Sequence, residues 1–153
     1  MKQVKEYGSW KSPITAEKVA SERVGLAEIK HEDESLYWLE TRPGEGGRNV
    51  IVKLAKGGKP IDLTPNGFNV RNRVHEYGGG SYEVNEGIIY FSNFDDQRIY
   101  RMAEGKEPRP ISPEGNFRYA DYVLDDQRER LLGVCEDHTG DGEPENYLVA
   151  VSL

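Results

Sequence analysis

The chain has 153 residues, a formal charge of −7 and a pI near 5.1, which is about one average domain of acidic character. Nucleic acid or an anionic membrane would have to be engaged against that average field, so both are excluded as expected partners, and no apolar run approaches the roughly 20 residues of a membrane span. Seventeen glycines, eight prolines and nine tyrosines favour many short strands over helices.

One cysteine, Cys135, leaves no internal disulfide, and the opening Met1-Lys2-Gln3-Val4-Lys5 runs into Tyr7-Gly8-Ser9-Trp10 with no apolar signal core. The expectation is a cytoplasmic protein. Residues 15–21 are the one good helix candidate, with Pro13 ahead of an N-capping Thr15 and Ala16, Glu17, Lys18 and Ala20 suited to a short surface helix.

From Gly25 onward short apolar runs alternate with Gly, Asn and Asp clusters. Strands are expected at 26–30, 36–40, 50–54 and 60–63, with Lys56-Gly57-Gly58-Lys59 supplying the positive φ of a tight hairpin turn. The pattern returns at 81–84, 88–93, 98–102 and 110–112, and a third time at 119–124, 130–136 and 147–153. Ile51, Ile99 and Leu148 hold equivalent places in the three third strands. The period of about 48 residues is that of a propeller blade of four antiparallel strands, the alternative being a small β-sandwich.

The expected fold is therefore all-β, an incomplete β-propeller of nearly three four-stranded antiparallel blades with a short N-terminal helix. Its divisions are an extension at 1–24, blades at 25–64 and 65–112, and a partial blade at 113–153. Ile88 to Phe91 and Leu36 to Leu39 are apolar on both faces, as second strands between neighbouring blades should be. Strand alternation puts the long connections 41–48, 64–80, 93–97, 112–118 and 137–145 on one rim, the place where recognition by a rigid scaffold is expected.

The stretch His75-Glu76-Tyr77-Gly78-Gly79-Gly80-Ser81-Tyr82 stands on that rim. No Gly-Lys-Ser/Thr follows it and a strand comes next, so it is no phosphate cradle. The glycines are expected to be steric, admitting another backbone or side chain at close range.

Several segments, in this order and spacing, resemble the acylaminoacyl-peptidase and dipeptidyl-aminopeptidase-like branch of the prolyl oligopeptidase family of serine peptidases. They are Tyr7 to Ile14, Tyr37-Trp38-Leu39-Glu40 with Arg42-Pro43 and Gly46 to Val50, Asp62-Leu63-Thr64-Pro65, and Phe68-Asn69-Val70-Arg71. Arg73 to Gly80, Tyr90 to Phe94 and Glu136 to Pro144 complete the set. The resemblance implies an N-terminal propeller that caps an α/β-hydrolase domain and restricts entry to short peptides. It also implies as partners the remaining blades and that hydrolase domain. Because so few blades cannot close a ring, the first blade is expected to expose one apolar face and the third another together with the unpaired edge of residues 147–153, Val149, Val151 and Leu153 included, so that the chain self-associates.

No catalytic residue carries over. Ser81 is the nearest miss to Gly-x-Ser-x-Gly, with Gly79 before it but Glu83 in place of the second glycine. The candidate domain-interface or substrate-gating residues are Arg71, Arg73, His75, Glu76, Tyr77 and Arg118. The arginines, with Arg101, are suited either to a carboxylate ligand or to acidic residues of another domain.

Other constellations have simpler readings. Asp137, Thr139, Asp141 and Gly142 open like a calcium loop, but the twelfth position is Leu148. His31, His75 and His138 lack metal-site spacing, so no metal or cofactor is expected. Cys135, in an apolar strand, reads as an inert buried thiol. Tyr7, Trp10, Trp38, Tyr82 and Tyr122 read as core aromatics.

Overall fold

The computed structural model describes residues 4–21 and 23–153. It begins with helix α1 (Ala16–Ser21), capped as expected: Thr15 Oγ1 accepts the Lys18 N–H at 3.1 Å.

Three antiparallel sheets follow. The first runs β1 (Gly25–Glu32), β2 (Ser35–Arg42), β3 (Arg48–Ala55), β4 (Ile61–Asp62), in that order across the sheet. The second repeats it with β5 (Tyr82–Asn85), β6 (Ile88–Ser92), β7 (Ile99–Ala103) and β8 (Arg109–Pro110). The third has β9 (Phe117–Asp125), β10 (Arg130–Asp137) and β11 (Glu145–Ser152).

The repeat is visible in the hydrogen bonds as well as the order. Ile51 N–H donates to Thr64 Oγ1 at 2.8 Å and Leu63 N–H to Ile51 O at 2.8 Å. About 48 residues on, Ile99 N–H donates to Ser112 Oγ at 2.9 Å and Ile111 N–H to Ile99 O at 2.8 Å. In each case a hydroxyl takes over where the short fourth strand ends, so the third strand's N–H is not left unpaired.

Period-two alternation explains how the sheets stack. On β6, Ile89 and Phe91 face the first sheet and join Tyr37, Leu39, Ile51, Val70, Tyr82 and Met102 in one core. Tyr90 faces the other way, into a second core with Ile99, Tyr119, Tyr122, Leu131 and Cys135 of the second and third sheets. Buried Ser92 Oγ bonds Tyr119 O at 2.7 Å and the Tyr122 hydroxyl across the same gap. Strand β5 adjoins β1 on one side and β9 on the other along one edge of the stack.

The outermost faces are uncovered. Ile51 and Ile99 are 0% and 1% exposed beneath the next sheet, whereas Leu148, at the matching place on β11, is 83% exposed, and Val123 on β9 is 61% exposed. At the other end Leu26 and Leu36 are exposed, and a hollow of about 510 Å³ lies between the turns at His31–Leu36 and Leu54–Gly58.

Two expectations need correction. Tyr7 and Trp10 are exposed rather than core, because the segment before β1 lies outside both cores; Trp38 is half-buried and turns its indole N–H to Glu40 at 3.1 Å. At the last strand Val149 and Val151 pack inward on the second core, and it is Leu148 that carries the open face.

Candidate rim site

The connection from β4 to β5 carries the site, and the side chain of Asn72 shapes it. Buried to 2% exposure, Asn72 accepts the N–H groups of Val74 (3.2 Å) and Gly79 (3.0 Å) through Oδ1 and donates through Nδ2 to Gly79 O and Ser81 Oγ. One amide thus closes a loop of ten residues on itself, an Asx-type substitution for backbone pairing. Gly78 adds a φ of 81° and a bond from its N–H to Val74 O at 2.8 Å.

Beyond Asn72 the chain is gripped from both sides. Gly80 N–H donates to Asp121 Oδ1 of the third sheet at 2.6 Å, and Asp121 N–H returns a bond to Gly80 O at 2.9 Å. The next amide, Ser81 N–H, donates to Glu28 Oε2 of the first sheet at 2.7 Å. Glu28 and Asp121 stand where the registers of β1 and β9 shift, at φ 49° and 57°. These bulges aim each carboxylate at the neighbouring connection.

The glycines are steric, as expected. A Cβ on Gly79 would lie 2.5 Å from Asp121 Oδ2 and 3.0 Å from Ala120 Cβ, and one on Gly80 would lie 3.0 Å from Asp121 Oδ1. Burial raises the Glu28 carboxyl above its ordinary pKa, its bonds to Ser81 opposing that only in part.

The tip of the loop is strained. His75 and Glu76 are consecutive non-glycine residues at φ 53° and 63°, a conformation that persists only where surroundings impose it. They are imposed here by an ionic cluster. Glu136 of β10, its side chain 7% exposed, accepts His75 N–H at 3.3 Å, Arg118 Nη1 at 3.4 Å and a bond with His138 Nε2 at 2.9 Å. Arg118 also donates to Glu76 Oε1 at 2.6 Å and Arg73 O at 2.9 Å. The Arg118 guanidinium holds the Glu76 carboxyl below the usual carboxylate range.

Arg71 and Arg73 lie over the ring of Phe94, at 5.0 and 4.3 Å from its centroid. Of the six candidates, then, Arg73, His75, Glu76 and Arg118 meet in one cluster, Arg71 joins through Phe94, and Tyr77 projects 97% exposed. Glu28, Asn72, Asp121 and Glu136 were not singled out from sequence. The only sequence signal for them is the triple glycine, which announces a close neighbour without naming it.

The Ser81 hydroxyl is engaged by Asn72 and Gly79 O, not by a histidine. Asp137 Oδ1 accepts from Thr139 N–H and Oγ1, and Oδ2 from the Tyr147 hydroxyl, and among the described residues no group of three His, Cys, Asp or Glu is placed to hold a metal. Cys135 is buried, and burial pushes its thiol up. Among the described residues no helix is long and apolar enough to cross a membrane.

No family model matches the sequence and no curated protein matches it, but solved structures do. A puromycin-hydrolyzing peptidase of Mycobacterium tuberculosis superposes with a TM-score of 0.86 at 39% identity, over 99% of this chain and 25% of that one. A puromycin hydrolase matches with a TM-score of 0.85 at 35% identity, over 96% and 24%. A mutant of puromycin hydrolase complexed with PGG gives 0.85 at 34%, over 96% and 24%. The chain spans about a quarter of the length of these peptidases, and its stacked sheets are blades of an incomplete β-propeller.

Proposed function

We propose a function from one premise: the chain belongs to the prolyl oligopeptidase family of serine peptidases, as part of its propeller. Its role is non-catalytic. The rim of long connections gates and orients short peptides over an α/β-hydrolase domain supplied from outside these residues, in an enzyme of acylaminoacyl- or dipeptidyl-peptidase type. Residues 25–64, 65–112 and 113–153 act as its blades, the remaining blades and the hydrolase domain are its partners, and its compartment is the cytoplasm.

The observation that carries this reading is the connection from Asn72 to Ser81. Its backbone is held by the first and third sheets at once, and it presents strained, charged and aromatic residues outward. Rigid positioning of exposed polar groups is what substrate selection at a pore mouth requires.

The test is a chimera in which this chain replaces the corresponding quarter of a puromycin-hydrolyzing peptidase. The expected enzyme cleaves short aminoacyl and peptide substrates and rejects long ones, and shortening the loop 74–78 relaxes that rejection. A chimera that is active but indifferent to peptide length, with and without the loop, would refute the gating role.

A second reading is favoured by one observation, the uncovered face at Leu148 and Val123. There the chain acts as an interaction module that pairs with other strands through its open edge. Downstream coding sequence with further blades and a Gly-x-Ser-x-Gly segment selects the first reading, and its absence the second.

A further inference from the structure

We infer that Arg71 and Arg73, held on the ring of Phe94, form a binding site for the C-terminal carboxylate of a short peptide. The site is built before any ligand arrives. Arg71 N–H donates to Ser92 O at 3.1 Å and Phe94 N–H to Asn69 O at 2.8 Å, which zips the segment 69–71 to the connection after β6. Gln97 completes the frame: its Oε1 accepts Arg73 N–H at 2.9 Å and its Nε2 donates to Phe94 O at 2.7 Å. Both arginines sit two residues apart on a segment fixed by these bonds, with their guanidiniums over one aromatic ring. The ring limits the rotamers they must give up on binding.

Their donors are uncommitted. Arg42, Arg48, Arg98, Arg118, Arg128 and Arg130 all pair with carboxylates. Among the described residues neither Arg71 nor Arg73 has a carboxylate within 4.0 Å, and neither guanidinium makes a hydrogen bond. Either planar fork suits the two oxygens of a carboxylate, and both stand within 5.0 Å of the same ring centroid. A chain of net charge −7 repels a dianion more than a monoanion, which favours carboxylate over phosphate. The choice of a peptide terminus as the source rests on the peptide-handling role proposed above.

The experiment titrates the whole chain at low ionic strength with acetyl-triglycine, with acetyl-triglycine amide and with inorganic phosphate, by calorimetry. Self-association through the sheet faces leaves this rim open, so the titration reads the site in either state. The free acid is expected to bind about tenfold tighter than the amide. R71Q/R73Q should abolish that preference, and R71K/R73K, which keeps the charge but loses the stacked fork, should retain only part of it. Circular dichroism of each variant verifies the fold. Equal binding of acid and amide, binding of neither, phosphate binding as tight as the acid, or a preference that survives R71Q/R73Q would each overturn the site. The gating role fails separately: if the acid preference is found but the chimera ignores peptide length, this site stands without it.

Discussion

Asp121 and Gly80 exchange two hydrogen bonds, the Gly80 N–H reaching the Asp121 carboxylate at 2.6 Å and the Asp121 N–H reaching Gly80 O at 2.9 Å. The pair joins the connection between the first two sheets to the inner strand of the third. The carboxylate fills the space that side chains would need on Gly79 and Gly80.

Gly79→Ala should therefore destabilise the fold by about 1–3 kcal/mol through overpacking. Gly44→Ala, where nothing lies within 4 Å of the added Cβ and φ is not positive, should change stability by less than about 0.5 kcal/mol. Denaturant melts of the two variants make the comparison. A double cycle with Asp121→Ala should be non-additive, because removing the carboxylate relieves part of the clash.

Glu28 gives a pH dependence of definite sign. Burial raises its carboxyl in the folded state, so the native protein binds this proton more tightly than the unfolded chain. The contribution is fully present below the unfolded value near 4.5 and is lost as pH rises through the folded value. Glu28→Gln, which still accepts the Ser81 N–H, should gain on the wild type as pH goes from 4 to 7 in melts. A constant difference across that range would refute the assignment.

Glu136 is the buried centre of the ionic cluster, and Glu136→Ala leaves Arg118 with only the exposed Glu76 as a carboxylate partner. The expected loss is about 3 kcal/mol, with the strained turn at His75 and Glu76 relaxing. Proteolysis between residues 73 and 78 should accelerate in the variant, which separates local release from a global effect.

Leu148 should drive association. At 83% exposure on an open sheet face it belongs to an apolar surface that further sheets would cover. Leu148→Asp is expected to lower self-association in light scattering and dye binding while leaving the melt of the remaining sheets within about 0.5 kcal/mol. Association unchanged by this substitution would place the contact elsewhere.

The strands were legible because their signals are local. Short apolar runs such as Ile88 to Phe91 and turn glycines such as Gly57, Gly87 and Gly105, all with positive φ, mark strands and their ends within a few residues. The site was legible only in part. Arg73, His75, Glu76 and Arg118 were found as rim residues, but Glu136, the buried partner of His75 and Arg118, reads in sequence as one position of a strand. Glu28 and Asp121 were hidden for a related reason: each is an acidic residue in the left-handed region inside a strand, where no glycine advertises the bulge. Tyr7 and Trp10 misled because aromatic content says nothing about which segment reaches a core.

The grip of Asp121 and Glu28 on adjacent amides also supplies a natural gauge of the assembly. Gly80 and Ser81 lie between β4 and β5, outside any strand, so their N–H groups should exchange readily with solvent if only local fluctuation were needed. Bonded to carboxylates of the third and first sheets respectively, each exchanges only when its own sheet moves away. Two neighbouring amides thus report independently on the two seams of the stack, and their relative deuteration rates would show which seam parts first.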